Sequence, residues 1–262
     1  MRAVPLPALL AFGILAGAAT VTPSAAEAPA ARAPAAKGPA ARAPATGTIR
    51  GTILFEGEPP PRPALRRDTD PYCARIARDA EDVIVTKGKL KDVLVRIKPG
   101  TFATVRTFPA PTTPVVIDQH ECMYAPRVVG VMPGQTLAIR NSDGTFHNVH
   151  GTIAGTHLWN KPHPPKAADL ALIATAAAGD VIDVVCDVHP WMHAYAVVTD
   201  HPFVTVTGED GAFTLTGIPP GSYTLEAWHP SLGTKALTVK IGTGKKATVT
   251  ARLAWKREDV RE

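Results

Sequence analysis

The sequence predicts an all-β chain of short strands and tight turns. Its 262 residues include 26 Pro and 21 Gly beside few helix-favouring runs, the composition of extended segments broken at close intervals. Runs such as Thr48-Ile49-Arg50-Gly51-Thr52-Ile53-Leu54-Phe55 alternate in polarity, and Val181-Ile182-Asp183-Val184-Val185 is apolar and β-branched; both patterns suit strands with one or two buried faces. Asp210-Gly211 and Pro219-Pro220-Gly221 punctuate the C-terminal runs with turn-forming residues.

The chain is long enough for one or two domains. Met1-Arg2 is followed by an apolar run from Val4 to Val21, interrupted by Pro5 and Pro7, and then by small residues ending Ser24-Ala25-Ala26. This predicts a signal peptide over residues 1–26, hence a periplasmic or secreted protein; a retained anchor is the alternative, and no Cys stands at the cleavage site for lipidation. Residues 27–46 repeat Ala and Pro with a cation at intervals and hold no large apolar side chain, so they read as an extended tether without a core. The formal net charge is +5, of which residues 1–46 carry +3. The +2 left for the folded part is too mild to argue for nucleic acid, and no later run is apolar enough to span a bilayer.

Folded structure is expected from Thr48, with a strand to Phe55, a polar loop from Arg66 to Asp82 containing one helical turn near Ala74–Arg78, and a second strand over Asp92–Ile97. Strands are then expected at Pro114–Ile117, Thr136–Arg140 and Val181–Val185, with a turn at Asn141-Ser142-Asp143-Gly144. Beyond Phe203, Val204–Thr207, Ala212–Leu215 and Tyr223–Trp228 read as an antiparallel meander.

The chemistry concentrates in two places. Cys186-Asp187-Val188-His189-Pro190-Trp191-Met192 follows the Val181–Val185 strand, and Phe146-His147-Asn148-Val149-His150 follows the Asn141–Gly144 turn. Thiolate and thioether favour Cu(I), while imidazole serves both oxidation states. Two His and one Cys in a plane, with Met as a long axial ligand, form a compromise that copper can occupy as either ion. One copper per chain is expected.

At these residues the sequence resembles the cupredoxins, most closely the amicyanins, which share the short Cys-x-x-His-x-x-Met loop and an upstream His-Asn-Val-His. The resemblance covers residues 114–200 and implies a Greek-key β-sandwich or barrel with His147, Cys186, His189 and Met192 as the metal ligands. It also implies a solvent-facing ligand His as the electron entry point, so a periplasmic redox partner is expected to dock near His189 and Trp191. His150, His157, His163, His193 and His229 read as surface residues or supports of the site.

Thr207-x-x-Asp210-Gly211-x-Phe213-x-Leu215-x-x-Ile218-Pro219-Pro220-Gly221-x-Tyr223-x-Leu225 resembles the carboxypeptidase regulatory-like modules, small transthyretin-like antiparallel sandwiches grouped with carbohydrate-binding-like folds. The resemblance implies a regulatory-like sandwich whose first strands lie within residues 47–113 and whose last lie within 201–262, with the 114–200 domain inserted between them. An unrelated N-terminal extension and a separate C-terminal module are the alternative arrangement.

With Cys186 taken as the metal thiolate, Cys73 and Cys122 are left to pair in an oxidising compartment. A bridge over this interval would stabilise by about 4 kcal/mol in the chain-entropy model. Two buried thiols, or a second metal on Cys122, His120 and Met123, are the alternatives.

Three functions follow. The leading one is a copper electron carrier. The second is an extracytoplasmic carbohydrate- or protein-binding module with a structural copper, for which the scattered Trp159, Trp191, Trp228 and Trp255 offer no evident sugar platform. The third, an oxidase or reductase, would need a second copper site of several His residues; the sequence has no His-x-His pair for it, so no catalysis is expected.

Overall fold

The computed structural model describes residues 46–102, 106–244 and 248–260. The signal peptide read over 1–26 and the tether read over 27–46 lie outside the described residues, apart from Thr46.

Four strands come first: β1 (Gly47–Glu56), β2 (Val85–Thr86), β3 (Lys89–Leu90) and β4 (Leu94–Ile97). Between β1 and β2 the chain makes a single 3₁₀ turn, Cys73–Arg75, inside the loop read as polar. Then follow β5 (Val115–His120), β6 (Met123–Ala125), β7 (Val128–Val131), β8 (Thr136–Asn141) and β9 (His147–Ile153). Next are β10 (Thr156–His163), β11 (Leu170–Ile173), β12 (Val181–Val185) and β13 (His193–Val198). The last are β14 (Val204–Val206), β15 (Ala212–Ile218), β16 (Gly221–His229), β17 (Gly233–Ile241) and β18 (Thr248–Lys256). The fold is all-β, as the alternation and turn chemistry predict.

Strands β5 to β13 form two sheets, ordered β10-β9-β12-β13-β7 and β11-β8-β5-β6. Their inward faces share a core of Ile117, Leu137, Ile139, Val149, Ile182 and Val184, among others. The flanking strands form two more sheets: β15-β1-β3-β2, with β18 on β1, and β14-β4-β16-β17. β1 is thus paired with β15 and β18, and β4 with β14 and β16. Strands on either side of residues 115–198 therefore complete the same two sheets, around a second core that includes Ile49, Ile53, Val95, Leu225 and Trp255.

Two details differ from the sequence reading. β1 and β18 run parallel, so this sandwich is not purely antiparallel. Nor is the C-terminal stretch a meander: β14 pairs with β4, β15 crosses to β1 in the opposite sheet, and β16 returns to β4. Phe213 and Leu215 are buried while their neighbours in the strand are exposed, so the alternation was real, but period 2 does not say which sheet a strand joins.

The two sandwiches meet through Leu94, Val128 and Val197, with Tyr195 and Trp228 edge to face at 5.7 Å. Arg96, buried beside them, donates to the Val198 carbonyl at 2.9 Å and pairs with Glu226 at 3.3 Å. Among the described residues no helix is long and apolar enough to cross a membrane.

Candidate metal centre

β12 delivers Cys186 at its end, and the ligand loop then winds back on itself. The His189 N–H donates to the Cys186 carbonyl at 3.2 Å and the Met192 N–H to the His189 carbonyl at 2.9 Å. These are successive i to i+3 turns, in which side chains three apart eclipse. Cys-x-x-His-x-x-Met thus steps its three side chains along consecutive turns. The Cys186 N–H closes the loop on the Met192 carbonyl at 3.3 Å.

His147 opens β9, adjacent to β12 in the same sheet. Its Nδ1 lies 2.9 Å from His189 Nδ1, and Cys186 Sγ lies 3.8 Å from His147 Nδ1 and 3.7 Å from His189 Nδ1. All three side chains are buried, and Met192 is fully buried in the same core cluster as Cys186.

The far side of each ring fixes its protonation. His147 Nε2 faces Asp143 Oδ2 at 2.9 Å, and His189 Nε2 faces Asp70 Oδ2 at 3.0 Å. An ionised carboxylate only accepts, so each Nε2 carries the hydrogen and each Nδ1 turns a lone pair inward. Both carboxylates are themselves anchored. Asp143 accepts from the N–H groups of Glu121 and Cys122 at 2.7 and 2.8 Å. Asp70 accepts from Thr145 Oγ1 at 2.8 Å and from the Tyr72 and Cys73 N–H groups. Burial pushes the Asp70 carboxyl up, but the hydrogen bonds from Thr145, His189 and the backbone outweigh it and hold the pKa below the ordinary value. Burial likewise pushes the Cys186 thiol up, yet backbone N–H groups and a hydrogen carried on the Nδ1 of His147 or His189 bring it down to about 6, so positive charge in this pocket holds the sulfur as thiolate.

Two imidazole lone pairs and a thiolate converging in a buried space repel one another unless a proton or a metal ion joins them. Donors about 2.0–2.3 Å from one ion stand roughly 3–4 Å apart, as these do. The residues therefore fit a metal ion, and the soft sulfur with two nitrogens suits copper better than an oxygen-seeking cation.

Asn148 braces the site. Its Oδ1 accepts the Asp187 N–H at 2.6 Å and its Nδ2 donates to Asp187 Oδ2 at 2.7 Å, tying β9 to the ligand loop. Tyr124, buried, places its one hydroxyl hydrogen between the Asn148 and Val185 carbonyls, 3.1 and 3.2 Å from its oxygen. His163 is buried behind it on Gln119 at 2.8 Å.

The largest departure from the sequence reading concerns exposure. His189 is 2% exposed, so its ring does not reach solvent as the resemblance implies. The loop before β2 covers it: Cys73 and Cys122 form a disulfide, Cys73 Sγ lies 3.6 Å from His189 Nε2, and Asp70 caps the ring. Trp191, half-buried, packs against His189 with centroids 5.1 Å apart and the rings tilted by 41°, and donates Nε1 to the Cys122 carbonyl at 2.9 Å. The disulfide also removes the second metal considered for Cys122, His120 and Met123. Asp143 and Asp70 were missed by sequence reasoning. The signal for Asp143 was its place four residues before His147 in a turn; Asp70, 119 residues from His189, had none.

Residues 193–254 match the family model of the carboxypeptidase regulatory-like domain. No curated protein matches the chain. Among solved structures it is similar to a reduced amicyanin variant, at 28% identity over 32% of this chain and 80% of that one, with a TM-score of 0.29. It is similar to a purple cupredoxin from Nitrosopumilus maritimus at 19% identity, over 40% of this chain and 97% of that one, TM-score 0.27. A copper-containing nitrite reductase from Thermus scotoductus SA-01 matches at 15% identity over 38% of this chain and 26% of that one, TM-score 0.29. The chain is similar, over residues 193–254, to the carboxypeptidase regulatory-like domain.

Proposed function

We propose that the chain is an exported mononuclear type 1 copper protein, with one copper per chain, that carries single electrons and turns over no substrate of its own. The observation that supports this most is the convergence of His147 Nδ1, His189 Nδ1 and Cys186 Sγ, with both Nε2 atoms tied to anchored carboxylates. Copper in such a site supplies a one-electron Cu(I)/Cu(II) couple.

The chain's own residues do the remaining work. Asp143 and Asp70 hold the two rings in one tautomer and orientation. Asn148 fixes the loop against β9, and burial keeps water from the thiolate. Donors held this firmly move little between oxidation states, which favours fast exchange. Met192, buried in the same core cluster as Cys186, would supply the thioether. With the His189 ring covered, the redox partner would dock on the apolar side chains beside the ligands, Val188 at 49% and Phe146 at 44% exposure, over the small interface that transient electron transfer needs.

The test is the visible spectrum of the mature protein on addition of Cu(II), with Cys186→Ser beside it. The expected result is an intense thiolate-to-copper band in the wild type and none in the variant. A colourless wild type would sink the proposal.

A further inference from the structure

We infer that a second metal site lies on the surface of the β9–β10 hairpin, formed by His150 and His157 and taking a borderline divalent ion, Cu(II) foremost. Nε2 of His150 and Nδ1 of His157 face each other at 3.4 Å, with ring centroids 5.4 Å apart. The other side of His150 is fixed: its Nδ1 lies 2.9 Å from Asp187 Oδ1. The carboxylate accepts the Nδ1–H, which leaves a lone pair on Nε2 directed at His157. This is the carboxylate–histidine pair that orients metal-binding imidazoles.

The backbone is shaped for the pairing. β9 and β10 are antiparallel, with His150 opposite Asn160 and Gly151 opposite Trp159, but His157, not Leu158, stands opposite Thr152. Leu158 is the extra residue of a bulge, and the shift turns His157 onto the face that Thr152 shares with His150. Asp187 is fully engaged in holding His150, because its Oδ2 accepts from Asn148 and Asn160, each at 2.7 Å. His157 is exposed and His150 half-buried, so the remaining coordination positions open to solvent and to exogenous ligands. Imidazole nitrogens select late first-row ions, Cu(II) most strongly. Asp187 directly follows Cys186, so an ion on His150 would sit one hydrogen bond and one residue from the inner thiolate.

The inference does not depend on the inner site being copper. The experiment is a Cu(II) titration of the mature full-length protein, followed by calorimetry and electron paramagnetic resonance, in wild type, His157→Ala and His150→Gln. The expected result is a binding event with a tetragonal, nitrogen-ligated signal that is weakened at least tenfold in both variants, while in His157→Ala any event with the thiolate-to-copper band is unchanged. The same event is expected in Cys186→Ser, where the inner site is disabled. Absence of a tetragonal event in the wild type, or one of equal affinity in His157→Ala, would overturn the inference.

Discussion

Asp70→Asn is the sharpest perturbation of the centre, because it keeps the shape and reverses one hydrogen bond. The asparagine Oδ1 can still accept from the Tyr72 and Cys73 N–H groups, as Asp70 Oδ1 does at 2.7 and 3.3 Å. Its Nδ2, however, would stand where Asp70 Oδ2 stands, 3.0 Å from His189 Nε2. An amide donates, so it favours the tautomer with the hydrogen on Nδ1, which closes the lone pair the metal uses. Restoring the productive tautomer then leaves two donors opposed. Changes to carboxylates that orient metal-binding histidines typically cost 10–100-fold in affinity, or about 1.4–2.7 kcal/mol. The assay is chelator competition followed on the thiolate-to-copper band, with urea unfolding of the metal-free protein as the control. Equal copper affinity for wild type and Asp70→Asn, with apo stability also equal, would refute the claim that Asp70 sets the His189 tautomer.

Further predictions concern stability and architecture. Replacing both Cys73 and Cys122 by Ser should lower stability by about 4 kcal/mol and speed the removal of copper by small chelators, since the loop over His189 loses its anchor; unchanged release rates would mean that the loop is held by other contacts. His229 is buried, its Nε2 without a partner, and burial, aided by Arg127, lowers its pKa to about 3. The unfolded chain therefore takes up a proton near pH 6.5 that the folded chain refuses until about 3, so stability falls with pH across that window by about 1.4 kcal/mol per unit. In His229→Asn this share of the slope should vanish in urea unfolding between pH 6.5 and 4. Residues 201–262 alone, lacking β1 and β4, should show no cooperative unfolding by calorimetry; a sharp transition would mean that they form a unit of their own.

Much of this was legible in the sequence because it is local. Thr48–Phe55 buries Ile49, Ile53 and Phe55 on one face and becomes β1, and the Cys-x-x-His-x-x-Met segment is held in consecutive turns by its own backbone. What was not legible depends on contacts between distant segments. The loop from Arg66 to Asp82 reads as polar filler, yet it supplies Asp70 and Cys73 to the ligand loop more than a hundred residues away. Covering a ligand leaves no periodicity in the segment that covers it. The bulge at Leu158 was equally silent, since only the register against β9 reveals it.

The pairing of β1 with β18 sets an order of assembly. The outer sandwich cannot close until Thr248 and the residues after it have emerged, whereas all nine strands from β5 to β13 are available once Val198 has been made. The segment that bears Cys186 and its two histidines can therefore complete its own core while β1 still lacks its parallel neighbour. Once formed, it brings Arg96 and Val204 together, as they stand in the β4–β14 pair, shortening the loop that the late strands must close. The histidine–cysteine centre is thus a scaffold for its host as well as its guest, and damage to its packing should appear first as slow or failed closure of the outer sandwich.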